Sequence, residues 1–221
     1  MTIRHPSNRN LTLHYGNNFL GLPILHDKGP FVYEYLERLH QTTFRALDQY
    51  KRVFAFRFDL RLPFNRGMHS PRYENEFIDR FIESFKAKIR HNRRAAIRRN
   101  EYAHDTEIRY VWTREVGAGQ LGRPHYHLAV LVNYDAFCAI GKFESGRDNM
   151  FNRLQDAWAS ALGLMPGEVV GLLHIPETPY YHMHRDDIDS VAEFFKRASY
   201  LCKAATKEYG DGGHGFGSSR I

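Results

Sequence analysis

Cysteine is scarce in this chain: Cys138 and Cys202 are the only two among 221 residues, too few for a disulfide framework or a structural zinc ribbon. No apolar run reaches the ~18 residues that span a bilayer, and the opening MTIRHPSNRN lacks the apolar stretch of a secretory signal. A cytoplasmic protein with no membrane partner is therefore expected. No internal repeat is present, and no glycine-rich loop joins a strand to a helix in the Walker or Rossmann manner, which argues against nucleotide-driven chemistry. What the chain does have is 43% hydrophobic residues, enough for the core of one domain. Its 31 Lys and Arg exceed 25 Asp and Glu, and the net charge of +6 favours polyanionic partners.

That charge is concentrated. Lys86, Lys88, Arg90, Arg93, Arg94, Arg98 and Arg99 fall within fourteen residues that contain no acid. Just upstream, Phe77, Phe81, Phe85 and Ile89 recur every fourth residue, with Ile78 and Ile82 beside them, which predicts one long amphipathic helix with a basic end. Cations at a helix C-terminus are also what the macrodipole favours on a plain solvated surface. Phosphate contact is the functional reading.

Around that helix the pattern predicts strands at Val53–Leu62, Glu107–Val116, His125–Val132 and Val169–His174. Helices are predicted at Phe31–Tyr50, Asn149–Leu162 and Asp187–Ala205. The order implies an α+β domain with a mainly antiparallel central sheet and helices over one face. Residues 1–50 read as an accessory segment, 51–209 as the functional domain and 210–221 as a loose glycine-rich tail.

His125-Tyr126-His127 places two imidazoles on one face of a strand, because residues i and i+2 point the same way, and it leaves Tyr126 for the core. The spelling alone is weak, since 13 histidines give ~0.8 such matches by chance. A second match, His182-Met183-His184, lies between Pro179 and Asp186 and reads as a solvated loop. The first has a partner strand. Directly opposed residues of an antiparallel hairpin have numbers of constant sum, and setting Glu115 opposite His125 fits a loop centred near Gln120. Glu115, His125 and His127 would then form a two-imidazole, one-carboxylate set suited to Mg²⁺ or Mn²⁺, or to zinc. His174 is the rival third ligand, and a plain surface pairing of Glu115 with Arg123 or Arg57 is the bland alternative.

Near the end of the chain, Tyr200, Lys203 and Lys207 are spaced three and four residues apart, so a helix would make them neighbours. A phenol is a poor nucleophile at neutral pH unless cations stabilise its phenolate, and lysines could also hold a phosphate.

Taken together, His125-Tyr126-His127 and Tyr200-Leu201-Cys202-Lys203 resemble the HUH family of single-strand DNA endonucleases. Similarity is greatest to rolling-circle replication initiators of filamentous phages (inoviruses) and their prophage relatives. It rests on Gly122–Leu128, Tyr200–Ala204 and Phe216–Arg220, and it covers roughly Val53 to Arg220. The resemblance implies a sheet-centred fold like that of RNA-recognition or ferredoxin-like domains, with a divalent Mg²⁺ or Mn²⁺ held by His125, His127 and Glu115. It implies that Tyr200, assisted by Lys203, nicks one strand through a 5′-phosphotyrosine and later rejoins it. Asp59, on the first strand, is a looser match for a residue facing the site. Lys203 and Ala204 occupy the positions of a second tyrosine, so the pattern is that of a one-tyrosine member. Candidate DNA contacts are Arg57, Arg90, Arg93, Arg94, Arg98, Arg99, Arg123 and Lys207. The implied partners are single-stranded DNA or a DNA hairpin at a replication origin, with helicase and polymerase of a bacterial host. A non-catalytic single-strand-binding module, a zinc hydrolase and an HUH relaxase or transposase are the alternatives.

Overall fold

Alternation in Val53–Leu62 predicts a strand with one wet face. In the computed structural model, which describes residues 3–63, 75–116, 124–205, 207, 209 and 213–220 and the backbone alone of 71–74, that strand is covered on both faces. In chain order, strands β1 (Ile3–His5), β2 (Asn8–His14), β3 (Asn18–Phe19), β4 (Leu22–Pro23) and β5 (Phe31–Val32) precede helix α1 (Tyr33–Gln49). Strand β6 (Arg52–Arg61), helix α2 (Pro71–Arg99), and strands β7 (Arg109–Val116) and β8 (Pro124–Asn133) follow. Helix α3 (Met150–Leu162), strands β9 (Leu173–His174) and β10 (Tyr180–His184), helix α4 (Ile188–Ala198) and strand β11 (Phe216–Ser218) complete the order.

The fold is α+β, built on a central antiparallel sheet of order β10-β6-β8-β7-β11 with β9 also paired to β6. Its helices lie over both faces rather than one. Phe54, Phe56, Phe58, Tyr126, Leu128 and Val130 pack with Phe77, Phe81 and Phe85 of α2 and Trp158 of α3. On the other face Val53, Ala55, Val111, Ala129 and Leu131 pack with Leu36 and Leu39 of α1 and Phe194 and Phe195 of α4. Val53 and Ala55 are apolar positions on the supposedly polar side of β6, and they are what a second helical layer needs. The N-terminal residues Phe19, Leu22, Ile24 and Phe31 belong to that second core.

Three other expectations change. Residues 180–184 form an edge strand rather than a loop, with Tyr181 and Met183 buried and His182 opposite Phe54. Period-two burial in Tyr-Tyr-His-Met-His explains it: the inward residues pay no polar penalty, and the edge needs only one ladder. Of the strand expected at Val169–His174 only Leu173–His174 pairs, because Pro166–Val169 winds into a 3-10 turn with its proline at the first position. The glycine-rich ending contributes β11, where Gly217 faces Trp112 so closely that a Cβ would come within 2.5 Å of the indole. Glycine here lets the last strand lie flat against β7. No helix among the described residues is long and apolar enough to cross a membrane.

Candidate metal centre and its tyrosine

Pairing of β7 with β8 sets Glu115 directly opposite His125 and Thr113 opposite His127. Pairing of β6 with β8 sets Asp59 opposite His127. All these side chains share the face of Ala129 and Leu131, while Tyr126 turns to the other face and is fully buried. Each of Glu115, His125 and His127 offers one ligand atom, and these atoms lie within 4.8 Å of one another. His174 stands across Asp59 on β9, exposed and outside that group.

The residues fit a bound cation. His127 donates from Nδ1 to Asp59 Oδ1 at 2.6 Å, which leaves Nε2 turned toward Glu115 Oε2 at 3.5 Å, without a hydrogen bond. A carboxylate on the far nitrogen is the usual way a ligating imidazole is oriented and made more basic. Burial alone would favour neutral His127, yet the two carboxylates outweigh it and raise its pKa above the usual histidine value. Burial opposes ionised Asp59 as well, and the His127 hydrogen bond overcomes it and holds the carboxyl below its usual range.

Glu115 is 3% exposed and pairs with two ammonium groups, Lys207 at Oε1 and Lys203 at Oε2, both at 2.9 Å. Burial would raise its pKa, but His127 and Lys207 hold it far below the ordinary carboxylate range. Lys207 therefore does not reach outward to a polyanion as its spacing suggested. Its side chain is wholly enclosed, and burial depresses its pKa. The reason is topological: beyond residue 203 the chain no longer follows a helix, and it carries Lys207 beneath Glu115.

Tyr200 also lies outside the expected helix. Helix α4, capped by Asp187 accepting from Asp189 N and Ser190 N, ends at Ala198, and Ser199–Cys202 form one 3-10 turn. In that turn residues i and i+3 eclipse. Lys203 consequently lies over Tyr200, its Nζ 3.9 Å from the ring centroid and donating to Tyr200 Oη at 2.6 Å. The same ring meets His127 edge-on at 5.6 Å between centroids. The N-terminal segment, whose role the sequence left unreadable, pins this turn. Leu25 N donates to the buried Ser199 Oγ, Ala204 N donates to Pro30 O, and Phe31 bridges to Lys203. Tyr209, the competing tyrosine, packs against His5 at 4.9 Å instead, and burial raises its pKa.

The basic end of α2 is not brought to this centre. Helix α2 covers the opposite face of the sheet, and Arg93 sits over Phe137, donating to His104 O, beyond the far end of β8. Arg90, Arg94, Arg98 and Arg99 are exposed there. Arg57 is on the site's face but more than nine-tenths buried. Arg123, with residues 117–122 of the hairpin loop, lies outside the described residues.

A carboxylate and two imidazoles positioned for a cation, with a phenol and an ammonium alongside, can polarise a phosphoryl oxygen and present a nucleophile to phosphorus. No solved structure matches the chain. Two Escherichia coli K12 proteins are similar to it, and both are described as uncharacterized. YfjJ is 28% identical over 202 residues, covering 87% of this chain and 96% of its own length. YagK is 29% identical over 201 residues, covering 87% and 95%. Residues 16–219 match the YagK/YfjJ C-terminal domain, and the chain belongs to that family.

Proposed function

We propose that this protein is a metal-dependent DNA strand transferase of the HUH type, nicking and rejoining one strand at a replication origin through a 5′-phosphotyrosine at Tyr200. The observation that carries this reading is the convergence of Tyr200, Lys203, His127 and Glu115, which lie on three separate elements. Glu115, His125 and His127 would hold Mg²⁺ or Mn²⁺, which would supply Lewis-acid stabilisation of phosphate charge. Tyr200 Oη bonds to phosphorus as the bond to the 3′ oxygen breaks. The phenol proton leaves to solvent while the Lys203 ammonium donates to the developing phenolate, and the departing oxygen takes up a proton as a free 3′ hydroxyl. Attack by that hydroxyl reverses the exchange. Incubation with origin-type single strands or hairpins and Mn²⁺ should yield a covalent protein–DNA band that EDTA suppresses. No band from any strand of a library would contradict the reading.

Two further outcomes are expected. Asp59→Asn removes the acceptor that orients His127, so Mn²⁺ affinity measured by calorimetry should fall by roughly 10–100-fold. An unchanged affinity would remove Asp59 from the site. Neutralising Arg94, Arg98 and Arg99 together should flatten the salt dependence of hairpin binding, by up to about 0.9 per lost duplex phosphate contact. Because these arginines lie on the face opposite His127, a single strand just long enough to fill the site should bind with the same slope as before. A reduced slope for that short strand would contradict the placement.

A further inference from the structure

Arg57 is an unexplained cost in the fold. Its guanidinium is more than nine-tenths buried, and Nε and Nη1 make no hydrogen bond. Buried donors are almost always satisfied, and an unpaired buried charge is strongly unfavourable, so each exception calls for a reason. Its neighbours Tyr181 and Asp59 offset that burial only in part. Asp59, two residues along the same face of β6, is engaged by His127. Tyr181 of β10 interacts with the guanidinium through its phenol, whose hydroxyl also points to Thr178 O at 3.5 Å, but Nε and Nη1 stay unpaired. Burial, with the charge of Arg197 of α4 adding to it, outweighs the favourable Tyr181 and Asp59 neighbours and lowers the Arg57 pKa.

Arg197 is exposed, in the last turn of α4, three residues before Tyr200. It also lines a cleft of about 820 Å³ with His174 and Thr178, in which Glu177 is the one acid. Arg57 N donates to Pro179 O at 2.6 Å, and Pro179 lines that cleft with Arg197, so the two arginines flank one place suited to a tetrahedral oxyanion, which can accept from two guanidinium forks.

We propose that Arg57 and Arg197 form a phosphate seat on the β9–β10 side of the metal centre, holding a backbone phosphate of the bound strand next to the one that Tyr200 attacks. This rests on the proposed function for the identity of the strand, since the seat alone specifies only a phosphate. It fixes the strand's path: the strand runs from the seat over Asp59 and His127 toward Glu115, crossing β6, β8 and β7 in turn. A phosphate gripped beside the reaction centre restrains the scissile one in line, which is worth more than the contact itself.

The test is anisotropy of a fluorescein-labelled oligothymidylate strand in EDTA, on a Tyr200→Phe background, so that binding is read without chemistry. Arg57→Gln and Arg197→Gln should each weaken binding about tenfold or more, the loss of a charge-assisted hydrogen bond. Each should lower the magnitude of the salt slope by about 0.7. Arg147→Gln, at an exposed arginine paired to Glu144, should change neither. Thermal melting supplies an independent readout. Because Nε and Nη1 of Arg57 make no hydrogen bond in the free protein, Arg57→Gln should leave the melting temperature nearly unchanged or raise it. A lowered melting temperature with unchanged strand affinity would make Arg57 a structural residue and overturn the proposal, as would unchanged affinity in the surface variant Arg197→Gln. If the wild type forms no covalent adduct while both substitutions still weaken binding, the seat stands and the nicking chemistry falls.

Discussion

Replacing Glu115 with alanine should cost the fold about 3–5 kcal/mol, the range for removing one partner of a buried ion pair, and lower the melting temperature by on the order of 10 °C. The cost arises from what remains. Lys207, with no exposed side-chain area, would keep its charge and lose the only carboxylate that pairs with it among the described residues. Adding Lys207→Met, which is apolar and of similar length, should recover most of the loss, and measurements in EDTA keep bound metal out of the comparison. The effect has a pH signature. Burial opposes ionised Glu115, but its partners depress its folded pKa below the unfolded value. Its contribution is therefore complete above the unfolded pKa of about 4.3 and declines as pH falls toward the folded value. Wild type and variant should converge in stability in acid. A single substitution costing under about 1 kcal/mol at neutral pH would show that Lys207 does not depend on Glu115.

Tyr200→Phe should abolish strand cleavage, with a loss of at least roughly 10³-fold, while leaving fold, metal affinity and most DNA affinity intact. Only the hydroxyl is removed. The ring keeps its contact with His127, Lys203 keeps Glu115, and affinity for DNA rests mainly on phosphate contacts. Comparable loss of cleavage, again with binding retained, is expected for the double replacement His125→Ala and His127→Ala. Full cleavage by either protein would remove the corresponding residues from the chemistry.

The face that brings Glu115, His125 and His127 together was legible because it depends on two local rules: alternation along a strand, and constant sums across a hairpin. These place Glu115 opposite His125 without any long-range information, and the structure agrees. Asp59 could only be suspected, because its position beside His127 depends on β6 pairing with β8 across 68 residues. Tyr200 and Lys203 were legible as neighbours, but for the wrong reason. Spacing of three serves an α-helix and a 3-10 turn alike, and the burial of Ser199 against Leu25 that fixes the turn is a contact across 174 residues. Lys207 shows the limit most clearly. Its spacing from Lys203 reads as a helical neighbour reaching out to phosphate, and nothing local announces that a buried carboxylate awaits it. The basic helix was recognised from its own sequence, but its place on the far face follows from which side of β6 the phenylalanines occupy.

Peptide mapping of the covalent adduct tests the central claim most directly. Wild-type protein trapped on a cleaved single strand in Mn²⁺, digested with protease and nuclease, should carry the residual nucleotide on Tyr200 itself, joined through a 5′ phosphate. A nucleotide on Tyr209, or on any residue other than Tyr200, would contradict the account.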